Sequence, residues 1–178
     1  VVAVGECGLD YFRDLSPRPA QRRAFELQLQ LAVDIQKPLF LHQRDAHEDF
    51  MAMMKNFEGK LGKAVVHCFT GSKKELFEYL DADYYIGITG WLCDERRGLH
   101  LREMVANIPS NRLMIETDSP YLMPRSIKPI PSHRRNEPMY LKHIVEELAK
   151  DRNESTEQAA LHSTKTAREF FALKSTSC

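Results

Sequence analysis

Val1-Val2-Ala3-Val4-Gly5-Glu6 is the stretch that decides the fold, because a short apolar, β-branched run ends there at a glycine followed by a carboxylate. Such a run predicts a strand that is buried on both faces. Residues 17–36 follow as a predicted helix, with Ser16 as N-cap, Pro17 at the first helical position and apolar side chains at helical spacing. The chain therefore opens with a strand and then a helix.

The same alternation continues to the end of the chain. Further strands are predicted at residues 38–41, 64–66, 84–89 and 113–117. The intervening stretches have helical spacing, and Ser72 with Glu75 predicts a capping box at the start of one of them. Two helices close the chain, one capped by Asn136 and the other starting near Ser155, and we expect residues 175–178 to be frayed.

Apolar strands that alternate with helices indicate an α/β fold with a parallel sheet covered by helices. Two architectures fit, an open doubly wound sheet and a TIM (β/α)8 barrel. A complete barrel has eight strands in about 250 residues. Only five strands are predicted here, and the sequence begins without Met inside a predicted strand. If the fold is a barrel, we expect residues 1–178 to form a single partial domain that lacks about the first three strand-helix units.

Composition is that of an ordinary globular protein, with 43% hydrophobic and 28% charged residues. No apolar run is long enough to cross a bilayer and no signal peptide opens the sequence, so we expect a cytoplasmic protein without membrane contact. The formal net charge is zero, so a nucleic-acid partner would have to bind a local basic patch. The four cysteines lack zinc-finger spacing and are predicted to be free thiols.

Four potential metal ligands follow predicted strands, namely Glu6, His42, His67 and Asp118. Singly, each has an ordinary explanation as a helix cap or a hydrogen-bonded core residue. Together, two carboxylates and two imidazoles at one mouth of a parallel sheet are costly without a cation. Mixed histidine and carboxylate ligands suit Zn or Mn, and they can hold Mg with bound waters.

The motifs that contain these residues resemble signatures of the TatD family of deoxyribonucleases. They are Gly5-Glu6-Cys7-Gly8-Leu9-Asp10, Leu41-His42-Gln43-Arg44, His67-Cys68-Phe69-Thr70-Gly71, Gly87-Ile88-Thr89-Gly90-Trp91, Glu116-Thr117-Asp118-Ser119-Pro120-Tyr121 and Arg134-Arg135-Asn136-Glu137-Pro138. The resemblance implies a TIM-barrel, metal-dependent hydrolase that cuts DNA, usually with Mg and often as a 3′→5′ exonuclease.

The resemblance also implies a role for each ligand. Glu6 would bridge two metal ions, His42 and His67 would bind one of them, and Asp118 would bind the other and accept a proton from the attacking water. Members of the family also carry a His-x-His pair on the first strand, and the present sequence has no such pair. One metal site is therefore expected to be under-coordinated, and we predict that the 178-residue chain alone folds poorly or is inactive.

Basic residues near the predicted ligands are candidates for substrate contact. Arg44 lies two residues after His42, and Arg134 and Arg135 lie in a loop after the last strand, where phosphates of single-stranded DNA ends could bind. A salt bridge is the alternative for Arg44, and a solvated loop is the alternative for the other two. Aromatic residues after strand ends, namely Tyr11, Phe12, Trp91 and Tyr121, could stack on bases or simply pack against their loops.

Three functions therefore remain open. The first is a DNA-hydrolysing enzyme, and the second is a related barrel hydrolase that acts on small esters or amides. The third is a non-catalytic remnant, which the missing His-x-His pair would explain. The basic loop after Asp118 favours a polyanionic substrate over a small ester.

Overall fold

The computed structural model describes residues 1–174, which form two compact units. The first unit comprises Val1–His67 together with the chain from Glu169, and the second comprises Cys68–Arg168. Each unit contains parallel strands and helices, so the predicted α/β class is confirmed at the level of secondary structure. No helix among the described residues is both long and apolar enough to cross a membrane.

The first unit is built on three parallel strands, β1 (Val4–Asp10), β2 (Leu39–Arg44) and β3 (Ala64–Val66). The helices that connect them are α1 (Arg18–Ile35) and α2 (His47–Lys55). Phe25 of α1 and Phe50 of α2 stack with ring centroids 5.3 Å apart and are fully buried. This aromatic pair anchors both helices on the apolar face of the strands, because large buried rings contribute most of the packing energy of a small core.

The second unit contains the parallel pair β4 (Tyr85–Ile88) and β5 (Leu113–Ile115) with four helices. These helices are α3 (Lys73–Asp81), α4 (Leu99–Met104), α5 (Leu141–Asp151) and α6 (Thr156–Phe170). Short 3₁₀ segments cover Gly90–Cys93, Val105–Asn107 and Pro138–Tyr140. Val145, Ala149 and Ala159 pack together with Ile115 at their side, which joins the last two helices to β5.

Several predicted boundaries are confirmed. The third strand spans the residues predicted for it, and the capping box forms, with Ser72 accepting from the Glu75 amide and the Glu75 carboxylate accepting from the Ser72 amide. The last helix starts after Ser155, whose hydroxyl accepts from the Gln158 amide. Hydrogen-bonding side chains at these helix starts satisfy backbone N–H groups that the helix itself cannot.

Other boundaries differ from the prediction. The first strand runs on to Asp10, and Pro17 rather than Ser16 is the N-cap of α1. Asn136 does not cap α5, which begins at Leu141. Its side-chain amide donates to the Thr117 carbonyl at 2.7 Å, so it holds the loop instead. The predicted fraying of residues 175–178 concerns a segment outside the described residues.

Candidate metal centre

β1 carries the first candidate ligand at an irregular point of its pairing with β2. The pairing shifts between Gly5 and Cys7, which leaves Glu6 at a bulge, and a bulge changes the direction in which a side chain points. Beyond the bulge, Gly8 lies opposite His42, and a Cβ on Gly8 would stand only 1.8 Å from the His42 carbonyl oxygen. A glycine is therefore required at this position for the two strands to approach each other.

His42 and His67 come from neighbouring strands. Leu41 of β2 pairs with Val66 of β3, so the two histidines each follow a member of the same pair. The His67 amide donates to the Leu41 carbonyl at 2.9 Å, and Phe40 packs on the His67 imidazole with ring centroids 5.0 Å apart. These contacts bury His67, whereas His42 is half-buried and Glu6 is exposed. The cluster is thus open to solvent on the Glu6 side.

Three ligand atoms meet in this cluster. Glu6 Oε1 is 2.9 Å from His42 Nδ1 and 2.9 Å from His67 Nε2, and the two nitrogens are 3.4 Å apart. The described residues form one such group of three potential metal ligands, with all three atoms within 4.8 Å of one another. Hydrogen bonds from His42 and His67 hold the pKa of Glu6 well below its usual value, although burial acts in the opposite direction. Glu6 is therefore a carboxylate at neutral pH.

The separations within the cluster fit a single divalent ion. Imidazole nitrogen and carboxylate oxygen bind such ions at about 2.0–2.2 Å, so two ligands of one ion lie ~3.0 Å apart at a right angle and ~3.4 Å apart at a tetrahedral angle. The three distances between Glu6, His42 and His67 fall in this range. The donor set, one carboxylate and two imidazoles, is also a usual one for Zn, Mn and related ions.

Asp10 belongs to the surroundings of the cluster and was not predicted as a site residue. Its Oδ2 is 3.2 Å from His42 Nε2, on the side of the ring opposite to Glu6. The signal in the sequence is weak: Asp10 stands four residues after Glu6 in the same motif, and an even spacing along a strand places two side chains on one face. A cleft of about 360 Å³ next to Glu6, Asp10 and His42 also has Arg13 and Gln21 in its wall.

Cys7 follows Glu6 directly in β1 but does not belong to the group of potential metal ligands. Its side chain is buried, and burial together with the nearby Glu6 charge raises the pKa of the Cys7 thiol to about 12. No disulfide involves Cys7, Cys68 or Cys93 in the part of the chain that the structure describes, and Cys178 lies outside it. A thiol with so high a pKa is a poor nucleophile, so Cys7 is a packing residue.

The fourth predicted ligand, Asp118, belongs to the second unit, and its role as a ligand stays a prediction. It follows β5 by three residues, has a backbone φ of +57° and is half-buried. Its carbonyl accepts a hydrogen bond from the Tyr121 amide at 2.9 Å, which turns the chain into the basic loop. Nearby, Glu116 accepts a hydrogen bond from the Cys68 amide and thereby ties β5 to the segment before α3.

The predicted phosphate-binding residues are found in different surroundings. Arg44 lies over the ring of Phe12, with its Cζ 3.8 Å from the ring centroid, and Phe12 is 61% exposed. Arg134 and Arg135 are exposed in the loop, and Arg135 pairs with Glu137 at 3.2 Å. Their contact with substrate stays a prediction.

Trp91, which was predicted to stack on a base or to pack against its loop, and Arg125 of the basic loop are both engaged within the protein. Arg125 pairs with the buried carboxylate of Asp94 at 3.2 Å, and Arg97, which also pairs with Asp94, covers one face of the Trp91 ring at 4.5 Å. Structural roles therefore account for Arg125 and for that face of Trp91. The loop that contains Arg125 is closed at its base, because the Asn136 amide donates to the Pro120 carbonyl at 2.9 Å.

Solved structures share this arrangement of strands and helices. A hydrolase of the TatD family from Entamoeba histolytica superposes with a TM-score of 0.85 at 27% identity, over 96% of this chain and 63% of that one. The TatD homologue YJJV from Escherichia coli gives a TM-score of 0.84 at 28% identity, over 98% of this chain and 65% of that one. The chain thus has the TIM-barrel-like α/β fold of these hydrolases, and it carries a carboxylate–imidazole cluster that could hold a metal ion.

The family follows from the sequence comparison. The model of the family described as TatD related DNase matches residues 1–172, and the chain belongs to this family. This match begins at residue 1 and does not confirm the expectation that the first strand-helix units are missing. The predicted resemblance to the TatD deoxyribonucleases is confirmed.

Curated relatives are more similar in sequence than the solved structures. The "3′-5′ ssDNA/RNA exonuclease TatD" of Citrobacter rodentium is 51% identical over 173 residues, and the protein of the same name from Klebsiella pneumoniae is also 51% identical over 173 residues. Each match covers 97% of this chain and 66% of the relative. The chain therefore spans slightly less than two thirds of the length of these relatives.

Proposed function

We propose that this protein is a divalent-metal-dependent nuclease that hydrolyses phosphodiester bonds in DNA and removes nucleotides in the 3′→5′ direction from single-stranded ends. The convergence of Glu6, His42 and His67 on one point carries the proposal, because that donor set fits a divalent ion. The names of the curated relatives support the choice of a nucleic-acid substrate over a small ester.

We further propose that the native ion is Mg, with Mn or Zn as substitutes, and that two ions act in the active protein. Glu6 would contact both ions, His42 and His67 would bind the first, and Asp118 would bind the second. A bound divalent ion supplies positive charge to a phosphate oxygen and lowers the pKa of a water bound to it.

The protein's own groups would handle the proton and the substrate. The Asp118 carboxylate would accept the proton of the attacking water, which general-base catalysis requires. The guanidinium groups of Arg44, Arg134 and Arg135 would bind phosphates and position the strand without reading its sequence. The exposed ring of Phe12, supported on one face by Arg44, would offer its other face to a terminal base.

Metal binding is the first test. The purified chain is titrated with Mn²⁺ and Zn²⁺ by calorimetry, and the variant in which both His42 and His67 are replaced by Ala serves as the comparison. We expect the parent chain to bind one ion specifically and the double variant to show no specific binding. Absence of any specific binding by the parent chain would contradict the metal centre.

Hydrolysis is the second test. Single-stranded oligonucleotides labelled at the 3′ or at the 5′ end are incubated with the chain and Mg²⁺ or Mn²⁺, with and without EDTA, and small esters are assayed in parallel. We expect any release of the 3′ label to be EDTA-sensitive and at most slow, because the chain has no His-x-His pair. Ester hydrolysis without DNA hydrolysis would favour the related-hydrolase alternative, and metal binding with neither activity would favour the non-catalytic one.

A further inference from the structure

His42 lies between two carboxylates, one at each ring nitrogen. Its Nδ1 is 2.9 Å from Glu6 Oε1, within the ligand cluster, and its Nε2 is 3.2 Å from Asp10 Oδ2, outside the cluster. A neutral imidazole has one nitrogen with a lone pair and one with a proton. An ion bound at Nδ1 therefore requires the proton at Nε2, where Asp10 can accept it.

Asp10 is itself held in place by the start of α1. The side-chain amide of Gln21 bonds both backbone groups of Asp10, accepting from its N–H at 2.9 Å and donating to its carbonyl at 3.2 Å. The other carboxylate oxygen, Oδ1, accepts from the Arg13 amide at 2.8 Å. With its backbone and one oxygen fixed, Asp10 presents the remaining oxygen, Oδ2, to His42 in a defined direction, and the exposed Arg13 guanidinium lies farther from that oxygen, with Nε at 3.6 Å.

We propose that Asp10 is a positioning residue of the metal centre, which fixes His42 with its proton at Nε2 and its lone pair at Nδ1, and that Gln21 holds Asp10 for this purpose. The inference rests on the metal centre proposed above. Carboxylates in this position orient metal-binding histidines and strengthen them as ligands in many proteins. Asp10 is not one of the three proposed ligands, so the metal centre and the positioning role of Asp10 can be tested separately.

A purely structural role for Asp10 is the competing explanation, because its Oδ1 also stabilises the turn that leads to Arg13. The substitution Asp10→Asn separates the two. Asn keeps an oxygen for the Arg13 amide, so the turn is preserved, but its NH₂ group then faces His42 Nε2. That group can only donate, which forces the imidazole proton to Nδ1, where the ion should bind.

We expect Asp10→Asn to weaken Zn²⁺ and Mn²⁺ binding by about 10–100-fold, the usual range for such partners, with an unchanged melting temperature of the metal-free chain. In the Zn²⁺-loaded parent, nitrogen-detected NMR of the His42 ring should show the proton at Nε2. Gln21→Ala should weaken binding in the same direction but less. Asp34→Asn, on the exposed side of α1, is the matched control and should leave binding unchanged.

The outcomes distinguish the inference from the proposed function. If the parent binds Zn²⁺ and Asp10→Asn binds it equally well, or if the His42 proton is at Nδ1 in the loaded parent, the role of Asp10 is overturned while the metal centre stands. If the parent binds no ion, the metal centre fails and the inference falls with it. If Asp10→Asn lowers the melting temperature of the metal-free chain and Gln21→Ala leaves binding unchanged, Asp10 is structural.

Discussion

The two units of the molecule use their polar side chains differently. In the first unit, Glu6, His42 and His67 converge on a point that is open to solvent on one side. In the second unit, the most heavily bonded polar groups, Arg152 and Asp94, are satisfied entirely by protein partners. Polar groups that stabilise a fold are bonded by protein partners away from solvent, whereas the three ligand atoms of the first unit meet at a point that a divalent ion could reach.

The substitution Arg152→Ala tests the structural side of this comparison and should have the largest effect. Arg152 donates to the carbonyls of Val105 and Ile108 at 2.6 and 2.7 Å and pairs with Glu154 at 2.7 Å, and only 10% of its side chain is exposed. Its loss removes the buried cation beside Glu154 and the donor to two backbone carbonyls, so we expect a loss of about 3–5 kcal/mol in the free energy of unfolding. Chemical denaturation followed by circular dichroism measures this change.

The exposed Lys150→Ala, in the same helix, is the control for Arg152→Ala and should change stability little. A small effect of Arg152→Ala would mean that water donates to the Val105 and Ile108 carbonyls in the variant. If the comparison between the units is correct, a folded fraction of Arg152→Ala should bind Zn²⁺ as tightly as the parent chain.

The substitution His67→Ala tests the functional side. We expect Zn²⁺ affinity to fall by more than about 100-fold, which exceeds the usual effect of losing a partner of a ligand, whereas stability without metal should change less than in Arg152→Ala. Calorimetric titration measures the affinity, and His100→Ala, which removes an exposed histidine of the second unit, controls for histidine content. Equal affinities for His67→Ala and the parent would place metal binding elsewhere.

The substitution Ser72→Ala removes one half of the capping box of α3. We expect a loss of about 1 kcal/mol in the free energy of unfolding, because a helix amide loses its partner. Denaturant titration is sensitive enough for this change. Thr156→Ala, at the first helical residue of α6 beside the Ser155 cap, is a suitable comparison, and an equal loss there would show that the effect is not specific to a cap.

The smallest effect is expected for Glu6→Gln in the absence of metal. Because the pKa of Glu6 is lower in the folded than in the unfolded chain, its stabilisation is fully present above the ordinary value near 4.5 and is lost as the pH falls through the folded value. Glu6 is half-exposed, so the contribution should be about 1 kcal/mol or less. The difference in melting temperature between parent and variant should be fully present at pH 6 and should shrink steadily as the pH falls below about 4.5.

Glu26→Gln, an exposed carboxylate of α1, is the control for the loss of a charge. A difference between parent and Glu6→Gln that grows as the pH falls would contradict the assigned hydrogen bonds with His42 and His67.

Local patterns in the sequence predicted most of the elements. Short apolar runs predicted the five strands, and the capping box at Ser72 was found because its two residues, three positions apart, bond to each other's backbone. Asn136 is of a residue type that often caps helices, but its side chain donates to the Thr117 carbonyl. No local pattern in the sequence distinguishes a capping Asn from one that holds a loop. The end of β1 was missed because its polar residues pair across to β2, a contact that the sequence of one strand does not contain.

The same reasoning explains what was predicted of the site. Glu6, His42 and His67 were identified because parallel strands bring residues at equivalent positions together, which is a rule of topology, although Glu6 and His42 lie within β1 and β2 and not at the predicted strand ends. Asp10 was missed because its role depends on which nitrogen of His42 faces which carboxylate, a matter of side-chain orientation. Sequence spacing places residues on a face, but it does not give ring rotations.

The closure of the basic loop has a consequence for how the protein could hold an anion. Residues between Pro120 and Asn136 are joined at the base by a backbone hydrogen bond, and Ile127 is buried at 6% exposure midway along the segment. A loop that is already folded in this way has little conformational entropy left to lose when Arg134 or Arg135 engages a phosphate. Ordering of the loop would then offset little of the free energy of phosphate binding. Lengthening the loop with glycine should weaken the contact although every charge is unchanged.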